Sequence, residues 1–242
     1  DASDSIFAVS AYCPITNLEN ADMAYEWMLN KVTEYKKLKM NSMTDFNQQR
    51  EIEVGNMTDE EIKLSAELKQ LFPNYLNSLN LKDEDGKLLT LDKDGNGTFK
   101  EYIKKIIIKS AQKALDNGVD LSNFDWLKIS NNKVSDLDFD GYVKHLGRLK
   151  VTPAFDSINL NSPENNLFGT SKIDALHFSS FSQNKSNSKE SIANKEIIKM
   201  MNPMSYINND KLPKHWRIRH GEMDSDTSLA ISAILALKLK NS

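Results

Sequence analysis

Near one end the chain reads Arg217-Ile-Arg-His-Gly-Glu-Met-Asp224, an alternating run closed by His220-Gly221 and followed three residues later by an aspartate. If such a run is a parallel strand, the loop after it lifts the carboxylate over the C-terminal rim of the sheet. Open α/β sheets gather their ligand and catalytic groups at that rim. A carboxylate there can hold a catalytic histidine in one tautomer and stabilise its positive form, which makes Asp224 a candidate triad acid. The competing reading is structural: Ser225, Asp226 or Thr227 can cap the helix expected to start near Leu229. His220, preceding the acid in the strand, reads as a structural or loop-orienting residue. A second constellation, Asp92-x-Asp94-x-Asn96-Gly97, opens like a calcium loop, but its twelfth position is Ile103 where a bidentate Glu belongs. A Gly-rich turn before a helix is the simpler reading there, with calcium the alternative.

The elements that must position these groups are read from periodicity and end signals. Ile6 to Ile15 is a short apolar run ended by Pro14 and fits a buried strand of a parallel sheet. Within it Cys13, the single cysteine, reads as a small buried hydrophobe and excludes an internal disulfide or a multi-cysteine zinc site. Residues 21–40 pattern as a helix with Met23, Trp27 and Met28 on its apolar face. Thr58-x-x-Glu61 is a capping box for a helix carrying Ile62, Leu64, Leu68, Leu71 and Phe72, which Pro73 should break or kink. Thr98-x-x-Glu101 repeats that signal after the Gly95-Asn96-Gly97 turn and opens a helix with Phe99, Tyr102, Ile103, Ile106 and Ile107. Gly118 is placed to end it in a left-handed cap. A hairpin is expected around Asn131-Asn132, then a helix over 135–150 with Phe139, Tyr142, Val143 and Leu146 inward. Residues 151–187 are loop-rich, 183–191 are polar, a short helix covers 194–201, and 229–240 form a last helix with Leu229, Ala233, Ile234 and Leu237 inward. No internal repeat is present.

The bulk properties narrow the class. With 39% apolar and 27% charged residues and a net charge of -3, the 242-residue chain has the makeup of a folded protein. Its basic residues are scattered among acids, so no nucleic-acid footprint is present. No run approaches the ~18 apolar residues a membrane span needs, and Asp1-Ala2-Ser3-Asp4 does not look like a signal peptide. The organisation is strand, long helical block, strand, turn, helix. Two strands cannot stand alone in water, so the pair is expected to belong to a larger sheet covered by the helical block.

Long stretches then carry a specific resemblance. The segment HWRIRHGEMDSDTSLAISAILALKL at 215–239 is similar to the strand–acid–helix element of bacterial tannases (tannin acylhydrolases, subtype B). The resemblance extends to FAVSAYCPITNLENADMAYEW, RLKVTPAFDSINLNSPENNLFGTSKID and IIKMMNPMSYI, nearly the whole chain. It implies the α/β fold class: a partial α/β-hydrolase core of late parallel strands with a large, mostly helical lid insertion. On that resemblance residues 1–18 are a core strand, 19–212 the lid, and 213–242 the core strand, acid loop and following helix. It implies hydrolysis of galloyl esters through a Ser-His-Asp acyl-enzyme, with Asp224 as the acid, and Lys150, Glu164 and Asp226 as the groups that bind the galloyl hydroxyls. The chemistry is coherent, because phenolic hydroxyls donate to carboxylates and an ammonium donates back to their oxygens. Each has a structural rival: Lys150 can close a helix where the dipole favours a cation, Glu164 after Pro163 can serve a turn or cap, and Asp226 can cap a helix.

One departure from the family pattern is plain. A hydrolase of this fold sets its nucleophile on a Gly-x-Ser-x-Gly elbow, and none occurs among the nine glycines. The order Ser, Asp, His also needs a histidine after Asp224, whereas the four histidines are His145, His177, His215 and His220. The expectation is truncation at both ends, with no turnover by this segment alone. The implied partners are a small-molecule polyphenolic ester and the remainder of the same hydrolase polypeptide, without cofactor, metal, nucleic acid or membrane span. A feruloyl or general carboxylesterase of the same fold is one alternative; a non-catalytic binding module using Asp92, Asp94 and Asn96 is another.

Overall fold

Residues 6–38, 52–187, 192–207 and 212–242 are described in the computed structural model. Strands β1 (Ala8–Tyr12) and β6 (His215–Arg219), from opposite ends of the sequence, lie side by side in parallel, with Ala8 opposite His215 and Tyr12 opposite Arg219. The Cys13 amide extends the pairing to the Arg219 carbonyl at 2.7 Å. The expected burial of β1 does not hold: among the described residues its one strand neighbour is β6, and Phe7 and Tyr12 are 80% and 62% exposed. Cys13 is likewise exposed rather than a buried hydrophobe, because the chain turns there with φ 46 and leaves the strand.

Helix α1 (Leu18–Leu29) is shorter than its pattern predicts. Val32 and Thr33, β-branched and stiff at χ1, disfavour its continuation, and the chain turns into β2 (Glu34–Leu38), antiparallel to β3 (Ile52–Asn56). Residues 39–40 of the expected helix lie outside the described residues. α1 is buried nearly all round, Asp22 and Glu26 included, as befits an element at the centre of a domain. Trp27 stacks among Phe72, Phe99 and Phe139 at 5.2–5.9 Å between ring centroids, and its indole donates to the Gly95 carbonyl at 2.9 Å.

Helix α2 (Asp59–Ser78) starts at the predicted capping box, with the Glu61 amide on the Thr58 hydroxyl and the Thr58 amide on the Glu61 carboxylate. Pro73 neither breaks nor ends it. Leu68, Phe72 and Leu76 bury one continuous stripe against α1, and that packing outweighs the hydrogen bond proline forgoes. Helix α3 (Thr98–Asp116) lacks the second capping box. The Thr98 hydroxyl instead donates to Leu88 O and accepts from Thr90 N, and Gly97 takes the cap position. A Cβ on Gly97 would fall 2.4 Å from Thr90 O, so the crossing strand of backbone selects glycine there. The far end behaves as expected: Gly118 (φ 80) donates to Leu115 O and Val119 to Ala114 O, a Schellman closure. In the 92–96 loop, Asp92 spends Oδ1 on the amides of Asp94 and Asn96, both at 2.9 Å, closing the turn.

The hairpin of β4 (Leu127–Ser130) and β5 (Lys133–Leu137) turns on Asn131 and Asn132, both left-handed as a two-residue type I′ turn requires. Helix α4 (Phe139–Leu146) is half the expected length, because Asp138 caps it and Gly147 ends it. Lys150 therefore does not close a helix; it lies at a bend three residues after Gly147. Short helices α5 (Pro163–Leu167), α6 (Ser180–Lys185) and α7 (Lys195–Met201) punctuate the loop-rich part, and residues 188–191 of the polar stretch lie outside the described residues. Helix α8 (Leu229–Asn241) buries Leu229, Ala233, Ile234 and Leu237 as predicted. The whole is a mixed α/β structure with a parallel strand pair.

Candidate active site

Asp224 stands on the turn between β6 and α8. Its amide donates to Gly221 O at 3.2 Å, and its Oδ1 accepts the amides of Asp226 at 3.0 Å and Thr227 at 3.4 Å. One carboxylate oxygen thus orders the loop, and the other faces His220, whose Nδ1 lies 3.7 Å from Oδ2. The cap of α8 is Ser228, whose hydroxyl takes the Ala230 amide, so the capping roles considered for Ser225, Asp226 and Thr227 are not realised. Ser228 directly precedes the first apolar helical residue, the signal that should have singled it out.

Lys150, Glu164 and Asp226 meet. The Lys150 ammonium lies 3.0 Å from Glu164 Oε1, 3.3 Å from Asp226 Oδ1, and 4.0 Å above the Phe155 ring. Glu164 sits in the first turn of α5, entered through Pro163 and capped by Ser162. Lys150 and Glu164 are largely covered, and Asp226 is 40% exposed and open to solvent. One cation between two anions compensates part of the desolvation of all three, and the set offers both acceptors and a donor to a polyhydroxylated ring.

Two neighbours complete the loop. The Gly221 amide donates to Cys13 Sγ at 3.3 Å; desolvation, then hydrogen bonding to Asp224, pushes the Cys13 thiol up, keeping it protonated. Burial pushes the His220 imidazole down against the opposing pull of Asp224, so it stays neutral near neutral pH. The unfolded chain then binds a proton near pH 6.5 that the native state takes up only at lower pH, so this group's contribution is full above pH 6.5 and is lost as pH falls. The chain should therefore lose stability on acidification below pH 6.5, and His220→Asn should lose less over the same interval. Denaturant midpoints at pH 7.5 and 5.0 check this, and equal losses in the two proteins would refute it.

Several supporting residues escaped the sequence reading. The Tyr25 hydroxyl donates to Ser225 O at 3.0 Å and accepts the amides of Leu149 and Lys150 at 3.2 and 3.1 Å. Asp22 receives the Phe155 and Asp156 amides, though burial still pushes its carboxyl up to about 7. Asp156 binds Asn165 Nδ2, His177 Nδ1, the Phe178 and Ser179 amides and the Ser179 hydroxyl, tying α5 to the 176–179 segment. The one local sign was two acids four apart, Asp22 and Glu26, among the otherwise apolar residues from Ala21 to Leu29.

Comparison with solved structures decides the family. The tannase of Lactobacillus plantarum superposes over 100% of this chain with a TM-score of 0.94 at 45% identity. That of Fusobacterium nucleatum superposes over 98% with 0.93 at 53% identity. The chain belongs to the bacterial tannase family. A tannin acyl hydrolase solved in complex with ethyl gallate matches 99% of the chain at TM-score 0.91 and 45% identity. This family member spans about half the length of those tannases, 52%, 53% and 50% of the three chains in turn. Neither a protein-family model nor a curated protein matches it.

Proposed function

We propose that this chain supplies the acid loop and the ring-binding groups of a tannase that cleaves galloyl esters. Asp224 holds the catalytic histidine, a serine attacks the galloyl carbonyl, and the histidine carries the proton from serine to leaving alcohol. Serine and histidine belong to the other half of the polypeptide, which also extends the exposed β1–β6 pair into an α/β-hydrolase sheet. Residues 1–18 and 213–242 then serve the core, and 19–212 form the lid over the site. Glu164 and Asp226 accept hydrogen bonds from the galloyl hydroxyls, and Lys150 donates to their oxygens.

The observation that carries this reading is the meeting of Lys150 and Glu164 with Asp226, which stands two residues after the candidate acid. A purely structural ion pair needs one carboxylate; two carboxylates on one ammonium, one of them open to solvent, leave acceptor capacity for a ligand. The likeness to a tannin acyl hydrolase solved with ethyl gallate supports the choice of ester. In the full-length protein, Lys150→Ala is expected to lower kcat/KM on methyl gallate by about 10- to 100-fold, the worth of a lost charged hydrogen bond, and to leave methyl benzoate hydrolysis nearly unchanged. Equal losses on both esters would point to a general carboxylesterase of the same fold.

A further inference from the structure

We propose that Tyr25 is a positioning residue: its phenol sets the spacing between the segment that carries Lys150 and the loop that carries Asp226, and so tunes selectivity for ring hydroxyls. The proposal rests on the ring-binding role of Lys150, Glu164 and Asp226 argued above.

Tyr25 projects from α1, and none of it is exposed. A phenol has one proton to give and two lone pairs, and here all are used. The proton goes to the carbonyl of Ser225, the residue between Asp224 and Asp226; the lone pairs take the amides of Leu149 and Lys150. One oxygen therefore joins the two backbone segments whose side chains meet again at the 3.3 Å contact of Lys150 with Asp226. The ring contributes as well. It meets Phe155 edge-on at 6.0 Å, and Phe155 is the ring beneath the Lys150 ammonium. Burial pushes the Tyr25 hydroxyl up to about 12, so it remains a donor throughout the range in which esters are assayed.

Removing that oxygen strands two amides and a carbonyl. They regain partners only if the two segments move apart to admit water or other groups. The Asp224 loop is also closed on itself, Oδ1 holding the amides of Asp226 and Thr227, so the movement falls on the Leu149–Lys150 segment. The effect should fall on ring recognition rather than on proton transfer.

The experiment is Tyr25→Phe in the full-length protein, which keeps the ring and deletes only the hydroxyl. The expected result is an approximately tenfold fall in the ratio of kcat/KM on methyl gallate to that on methyl benzoate, through a higher KM for gallate, with benzoate turnover within about threefold of wild type. Tyr75→Phe is the control: it deletes the phenol oxygen of a half-buried tyrosine on α2 that accepts from Asn17, outside the hydrogen bonds that reach Lys150, and should lower stability without moving the ratio. A retained ratio in Tyr25→Phe, or equal losses on the two esters, overturns the positioning role. Hydrogen exchange of the wild-type protein tests it without a variant, because the Leu149 and Lys150 amides must be protected; rapid exchange at both overturns it. A wild-type protein with no preference for gallate over benzoate would instead sink the proposed function, so the two failures are distinguishable.

Discussion

Asp224→Asn in the full-length protein is expected to lower kcat on methyl gallate by about 10³- to 10⁴-fold, with KM within about threefold of wild type. The substitution is nearly isosteric, and its side-chain carbonyl can still receive the amides of Asp226 and Thr227 that now bind Oδ1. The loop should keep its shape, Asp226 its place against Lys150, and ground-state binding most of its strength. What changes is the second oxygen. A negative acceptor becomes a neutral donor, so the catalytic histidine is held in the wrong tautomer and its positive form loses its counter-charge. Steady-state kinetics separate the outcomes. Turnover near the wild-type rate would remove Asp224 from the triad, and a KM rise as large as the fall in kcat would mean that the loop had collapsed.

What the sequence disclosed about this arrangement follows the range of the forces involved. The Thr58–Glu61 box, the Gly118 stop and the Asn131-Asn132 turn each depend on residues within a few positions of one another, and the structure has them where local chemistry puts them. The parallel pairing of β1 and β6 was also legible, because a short apolar run and an alternating one flanked a helical block. The failures share a cause. Thr98 is drawn from its capping role by Leu88 and Thr90, Pro73 is carried through by packing on α1, and the helical period of 135–150 is cut by Asp138 and Gly147. The site divides likewise. As a candidate, Asp224 was legible from its place after a strand; Lys150, Glu164 and Asp226 became candidates only through family resemblance, since nothing in their spacing shows that they converge. The polar groups beneath them, Tyr25, Asp156 and the Glu26–Arg148 pair, left almost no local trace, because each is defined by partners distant in sequence.

That buried pair gives the largest expected effect on stability. Arg148 and Glu26 are 2% and 0% exposed, and the guanidinium engages both carboxylate oxygens. Its remaining donors reach the carbonyls of Val32, Leu29 and Lys150 and the Thr152 hydroxyl, while Glu26 also accepts from Ser65 and Thr152. Arg148→Met leaves a buried carboxylate without its counter-charge, a change that costs about 3–5 kcal/mol, and at this chain length lowers Tm by roughly 6–20 °C. A Tm within a degree or so of wild type would show that Glu26 finds compensation elsewhere. Adding Glu26→Leu to Arg148→Met should recover much of the loss, since an apolar pair of similar volume avoids the desolvation of both charges. The double variant also separates stability from function, because Arg148 donates to the carbonyl of Lys150 and an apolar pair cannot. If the double variant regains its Tm but keeps a raised KM for gallate, the ion pair acts chiefly by holding Lys150 in place; if both recover together, packing alone suffices to place it.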